Sequence, residues 1–259
     1  IFLVNPKHEK LFKKDCYPNL EAIQKSIDLA IIVIPAKFVP EVIKNASDKV
    51  KNFVIISAGF SETSEEGKKL EQEIMEIAKE KNLNILGPNC LGFIVPKIKL
   101  NASFGGGMPK PGNISFVSQS GALISAVLDI SKSENFGFSN IISIGNKMHI
   151  DERILFEYLE QDPKTKVVGM YLEGIKDGKK FRELAEKISR SKPVVILKAG
   201  KTEKSQKAIS SHTGALAVSE EITKALFKKT GIIEASNFSE FLNLVKLISL
   251  SNASSDKKF

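Results

Sequence analysis

Tryptophan is absent from this 259-residue sequence, and cysteine and histidine are scarce, at two and three residues. Cys16 and Cys90 stand far apart, which speaks against a disulfide scaffold and against a zinc site. No apolar run approaches the roughly 20 residues that a bilayer-crossing helix needs. The opening IFLVNPKHEKLF turns polar at Asn5, Lys7 and Lys10, unlike a secretory signal. A cytoplasmic protein that does not use a membrane is the expectation. There is also no aromatic, RNP-like stretch and no Cys/His finger. The net charge of +8 would suit nucleic acid, but the lysines interleave with glutamates, as in SEEGKKLEQEIMEIAKEK, and so read as solvated helix faces. Nucleic acid is therefore not expected as a partner, whereas a small polyanion could use locally placed basic residues. A nicotinamide-dependent oxidoreductase is disfavoured by the missing glycine-rich fingerprint.

What is present is alternation. LAIIVI (29–34), NFVIIS (52–57) and LNIL (83–86) read as buried strands. Between them, Val39, Val42, Ile43 and Ala46 form one helical stripe, and Leu70, Ile74, Ile77 and Ala78 form another. The segment FGGGMPKPG (104–112) suits neither regular element and marks a boundary. After it the alternation restarts: NISFVS, a helix over 121–132, FSNIISIG, DERILFEYLEQ, TKVVGMYLEG, KKFRELAEKISR and KPVVILKAG, with helices near 219–229 and 237–250. Strands alternating with helices predict a mostly parallel sheet covered on both faces, with ligands at the carboxyl edge.

The unusual polar residues fall at those edges. In FVSQSGAL a strand gives way to a helix, whose unpaired first amides with Ser118 and Ser120 make a phosphate seat, or whose serines simply cap it. His212, in SSHTGA, can be a ligand, base, nucleophile or solvated loop residue. No second histidine or carboxylate recurs at metal-binding spacing, so no metal is expected to be held there. Glu173, in YLEG, either caps or pairs internally, or fixes the tautomer of an imidazole. VNPK (4–7), VIPAKF (33–38), SAGF (57–60) and GPNCLG (87–92) all follow apolar strands and could line one crevice, although each alone reads as an ordinary turn.

Taken together and in order, VNPK, IDLAIIVIPAKFVP, LGPNCLG, SQSGAL, GNK, DPKTKVVGMYLEG, KPVVILKAG and SSHTGALA resemble the alpha subunit, or alpha-like region, of NDP-forming acyl-CoA synthetases. The nearest likeness is to ADP-forming acetyl-CoA synthetases, relatives of succinyl-CoA ligase. The resemblance implies an α/β chain: a Rossmann-like CoA-binding domain over 1–107, a flavodoxin-like domain over 108–250, and a tail or linker start over 251–259. It implies reversible conversion of acyl-CoA, ADP and phosphate to carboxylate, CoA and ATP through an acyl phosphate and a phosphohistidine. His212 would carry the phosphoryl group, Glu173 would hold its ring, and Ser118, Gln119, Ser120, Gly121 and Ala122 would cradle the phosphate. Lys7, Pro35, Ser57, Ala58, Gly59, Asn89 and Cys90 would lie at CoA.

ADP or ATP with Mg²⁺ would sit mainly on an ATP-grasp partner, separate or fused, within an oligomer. The family's opening strand, glycine-rich turn and helix have no counterpart here, so the chain reads as an excerpt with a truncated first domain that is inactive without its partner. His149, in GNKMHID, is expected to be structural, and Val218 replaces a usual glycine. The alternative from another class is a CoA-sensing regulatory module of a larger protein, such as a fused acyltransferase.

Overall fold

Short runs of β-branched residues punctuated by Gly, Pro and Asn set the strand ends in the computed structural model of this chain, which describes residues 1–200 and 220–251. The chain opens with a small three-stranded sheet: β1 (Leu3–Val4) lies parallel to β3 (Lys14–Tyr17), which pairs antiparallel with β2 (Lys10–Leu11). A second three-stranded sheet is fully parallel and holds β4 (Ala30–Ile32), β5 (Asn52–Ile55) and β6 (Asn84–Leu86) in that order.

Its helices are α1 (Val39–Ala46) and α2 (Glu65–Lys81). In the first expected stripe Val39, Ile43 and Ala46 are buried, and in the second Ile74 and Ala78; Val42, Leu70 and Ile77 pack partly buried against the same core. Ser64 caps α2 by accepting from the Gly67 amide at 3.1 Å, and acidic residues at its start with lysines at its end complement the helix dipole.

The third sheet has seven strands in the order β13-β12-β11-β9-β10-β7-β8. β9 (Pro111–Ser118), β10 (Phe138–Ser143), β11 (Val167–Leu172), β12 (Val194–Lys198) and β13 (Ile233–Ala235) are mutually parallel. Numbered among themselves, these five run 5-4-3-1-2, the flavodoxin-like winding whose strand order reverses at the first strand. β7 (Gly92–Val95) and β8 (Leu100–Ser103) add an antiparallel edge to β10. Sheet membership thus changes ahead of 107, the division expected from the glycine-rich segment.

Period-two alternation divides the strand side chains between two cores. Phe116, Ile141 and Val195 face α3 (Gly121–Ser133) and α7 (Phe238–Leu250). Val117, Met170 and Ile196 face α4 (Glu152–Gln161), α5 (Gly178–Ser189) and α6 (Glu220–Thr230). The fold is therefore the expected Rossmann-like unit followed by a flavodoxin-like sheet, here mixed rather than wholly parallel.

Candidate active site

At the carboxyl ends of β4, β5 and β6, three of the turns singled out in the sequence converge. The Asn89 amide donates to the Ser57 carbonyl at 3.0 Å. Gly59 has φ of +105°, and an added Cβ would lie 3.2 Å from that of Ala36, so glycine lets the Ser57–Gly59 turn close on the Pro35–Ala36 corner. Pro35 and Ala58 are exposed, while Ser57, Gly59 and Asn89 are half-buried. The Ser57 hydroxyl is buried with no hydrogen-bond partner among the described residues.

Two residues named with that edge behave differently. Lys7 follows β1 in the separate small sheet and is exposed. Cys90 is buried in the core, and its thiol donates to the Ile55 carbonyl at 3.3 Å. Burial pushes that thiol up to about 12. The Cys90 side chain thus packs beneath the turn and does not face a ligand.

The second edge lies where the strand order reverses. Ser118 at the end of β9 stands level with Tyr171 in β11 and Ser143 in β10, so the turns after β9 and β11 are neighbours. The Ser118 hydroxyl donates to the Ser120 carbonyl at 2.8 Å and accepts from the Ser120 amide at 3.0 Å. Ser120 caps α3 by accepting from the Leu123 amide at 3.2 Å. Gly121 and Ala122 open α3, and the first amides of a helix have no carbonyl one turn before them to bond. Ser118 therefore shapes the turn, and Ser120 caps the helix that follows it.

Gln119 has a more specific task than its place in the motif indicated. Its side-chain oxygen accepts from the Glu173 amide at 2.7 Å and the Gly174 amide at 3.3 Å. Lys198, at the end of β12, donates to the Glu173 carbonyl at 2.9 Å. The Glu173 backbone is therefore gripped from both neighbouring strands. Tyr171 beside it titrates above the ordinary tyrosine value, chiefly through burial and also through the charge of Glu173. His212 lies outside the described residues, as does Val218.

A third turn follows β10 and carries the Gly-Asn-Lys motif. Gly145 has φ of +53°, and a Cβ there would fall 2.2 Å from the Pro88 carbonyl oxygen. Residues beyond it zip against β6 and its turn: the amides of Asn146, Met148 and Ile150 donate to the carbonyls of Pro88, Gly87 and Ile85 at 2.9, 3.1 and 3.1 Å. His149 Nδ1 accepts from the Ile85 amide at 3.2 Å, which supports its expected structural role.

The side chains on either side of this turn reach in opposite directions. The Asn146 amide donates to Glu62 and Glu71 at 2.6 Å each, and its oxygen accepts from Asn89 at 3.2 Å. Glu62 in turn accepts from the Gly59 amide at 2.6 Å. Burial alone would raise the Glu62 carboxyl, but the bonds from Asn146, Gly59 and Phe60 prevail and hold it below its usual value. Lys147 is buried; it donates to Glu152 at 2.9 Å and to the Gly174 carbonyl at 2.6 Å. Asn146, Lys147 and Glu152 escaped the sequence reading, although a Gly-Asn-Lys at a strand's carboxyl end and a DE pair opening a helix were available as signals.

Polar turns thus gather at the carboxyl edges of two α/β units, the place where sheets of this class usually bind ligands. A family model described as "CoA binding domain" matches residues 1–96, and one described as "Succinyl-CoA ligase like flavodoxin domain" matches residues 111–248. The chain belongs to this family, as an alpha-subunit-like region of the ADP-forming acyl-CoA synthetases. It is 46% identical over 249 residues to "Acetate--CoA ligase [ADP-forming] I" of Archaeoglobus fulgidus, covering 96% of this chain and 36% of that protein. It is 42% identical over 247 residues to "Acetate--CoA ligase [ADP-forming] II subunit alpha" of Pyrococcus furiosus, covering 95% and 54%. Among solved structures, the Ca. Korarchaeum cryptofilum dinucleotide-forming acetyl-coenzyme A synthetase 1 in complex with phosphate and ADP superposes with a TM-score of 0.89 at 36% identity, covering 95% and 53%. The chain thus spans between a third and just over half of the length of these relatives.

Proposed function

We propose that this chain is the alpha part of an ADP-forming acyl-CoA synthetase of the acetate type, working with an ATP-grasp partner that carries most of the nucleotide and Mg²⁺ site. The observation that carries the reading is the pairing of the SQSGA turn with the Glu173 turn at the strand-order reversal, joined through Gln119. CoA is proposed for the first edge, where the Pro35–Ala36 corner, the Ser57–Gly59 turn and Asn89 converge.

In the proposed sequence phosphate displaces CoA from the acyl carbonyl, giving an acyl phosphate and free CoA. An imidazole nitrogen of His212 then attacks phosphorus, and the carboxylate leaves with the electrons of the broken P–O bond. The phosphohistidine finally passes its phosphoryl group to ADP. Glu173 would accept the other ring N–H, keeping the attacking nitrogen unprotonated. Its backbone is already fixed by Gln119 and Lys198, so little reorganisation is needed when charge develops. The amides of Gly121 and Ala122 would stabilise the equatorial oxygens in transfer. The domain limits 1–107 and 108–250 are kept as functional divisions, with β7 and β8 as the part of the first that completes the second sheet.

The test is intact mass after incubation with acetyl phosphate and Mg²⁺, then with ATP and the ATP-grasp partner. An acid-labile gain of about 80 Da, the mass of one phosphoryl group, is expected in the wild type and absent from His212→Ala. Glu173→Gln is expected to slow the gain on the order of tenfold or more while the melting temperature holds. A His212→Ala chain that still turns over with the partner would sink the mechanism. A wild type that binds CoA but never takes up phosphate with that partner would favour the sensing module.

A further inference from the structure

We propose that the Gly145–Asn146–Lys147 turn is a bracket that sets the spacing between the two edges, with Lys147 as a positioning residue for the Glu173 turn and Asn146 as its counterpart for the Ser57–Glu62 turn. The proposal rests on the phosphoryl-transfer reading above.

Three observations converge on it. First, the turn is anchored rather than merely adjacent: its amides bond to the turn after β6, and Gly145 sits where any side chain would strike the Pro88 carbonyl. Second, Lys147 has φ of +46°, a left-handed conformation that glycine accepts far more readily than lysine. Backbone preference alone would put glycine there, so the retained side chain is the informative feature. That side chain is buried and spends its hydrogens on Glu152 and on the carbonyl of Gly174, the residue after Glu173. Glu152 then accepts from the Lys176 amide at 3.3 Å, and the Lys176 ammonium donates to the Lys147 carbonyl at 2.7 Å. The whole 173–176 turn is thereby fastened to the bracket.

Third, the adjacent residue performs the same service on the other side. Asn146 bridges Glu62, whose carboxylate fastens the Gly59 amide, and Glu71 of α2, which also accepts from the Ser61 hydroxyl at 2.7 Å. Successive side chains of one turn thus hold the two turns between which the acyl phosphate would have to pass. An ångström of misplacement in such a geometry costs orders of magnitude in rate.

The experiment uses the full-length protein with its ATP-grasp part. Phosphoenzyme formation is followed with γ-labelled ATP and Mg²⁺, and ATP formation with acetyl-CoA, phosphate and ADP. Lys147→Met combined with Glu152→Leu replaces the buried ion pair by apolar side chains of similar volume, an exchange that interiors often tolerate. This double variant is expected to melt near the wild type, to label about ten- to a hundredfold more slowly, and to keep its KM for acetyl-CoA. Asn146→Ala is expected to raise that KM more than it slows labelling.

A folded double variant that labels at the wild-type rate overturns the role of Lys147. An Asn146→Ala variant with an unaltered KM overturns the bracket's other arm. If the wild type itself takes up no label, the phosphoryl-transfer reading fails and the bracket falls with it. Label on the wild type but not on His212→Ala shows that the reading stands whatever the other variants do.

Discussion

The imidazole of His149 accepts a backbone hydrogen bond at Nδ1, which only an unprotonated nitrogen can do. Burial lowers its pKa from the ordinary 6.5, and the nearby charge of Asp151 only partly opposes this. The unfolded chain therefore binds this proton at higher pH than the folded one. The stabilisation is complete above 6.5 and is lost as the pH falls through 6.5 toward the lower folded value. His149→Asn retains an acceptor for the Ile85 amide without titrating in that range. The melting temperature of the wild type should consequently fall more steeply than that of His149→Asn between about pH 6.5 and 5; parallel slopes would refute the assignment.

Lys147 obeys a different rule. Removing it alone leaves the Glu152 charge buried, a loss of about 3–5 kcal/mol for pairs of this kind, which is why its test needs the double variant. At this scale the sequence exposed Glu173 and the SQSGA turn, because a carboxylate or hydroxyl at a strand's end is conspicuous. It concealed which atoms those residues spend on one another: Gln119 looked like a phosphate ligand but grips the next turn, and Cys90 looked like a pocket residue but faces the core. Partners 54 or 35 positions apart depend on strand register, which no local pattern reveals.

The element that joins the two edges is an irregular segment, residues 145–150, and its docking depends on one glycine. Gly145→Ala must both accept a left-handed conformation and displace the Pro88 carbonyl. A cost of at least about 1–3 kcal/mol is expected, read as a lower urea midpoint. Gly178, in the first turn of α5 with nothing within 4 Å of an added Cβ, is the control: Gly178→Ala should leave the midpoint unchanged or raise it slightly. Equal midpoints for the two variants would show that the close approach at Gly145 carries no stability.

The long elements of the fold were legible, since the amphipathic stripe of α2 and the apolar runs of β9 to β12 carry their own periodicity. Short strands divided: β4, β5 and β6 showed through the apolar runs that hold them, whereas β7, β8 and β13, of three or four residues each, were not read as strands.

Across the whole molecule, the apolar packing ignores the boundary that the motifs suggest. One cluster contains Val54, Leu86 and Cys90 of the first unit together with Val117, Met170 and Phe181 of the second. The Leu91 amide also donates to the Ser143 hydroxyl at 2.9 Å, and β7 and β8 complete the second sheet from the first half of the chain. Separating the units would expose that cluster to water at roughly 25 cal/mol per Å² of apolar surface, besides breaking the bonds of the 145–150 segment. The two units should therefore unfold together, although chains built of two parts often do not.

Cys90 supplies the probe, because it lies in the shared cluster and its thiol is pushed up to about 12 by burial. In the native protein at pH 8 almost none of it is thiolate, and it is covered as well. Labelling of Cys90 by iodoacetamide across a urea series, located by peptide mass, should rise at the same midpoint as the loss of helical circular dichroism. Cys16, half-buried in the small opening sheet, serves as the local reference. If Cys90 becomes reactive at clearly lower urea than the helical signal is lost, the units part before they unfold, and the cluster is only a contact between independent domains.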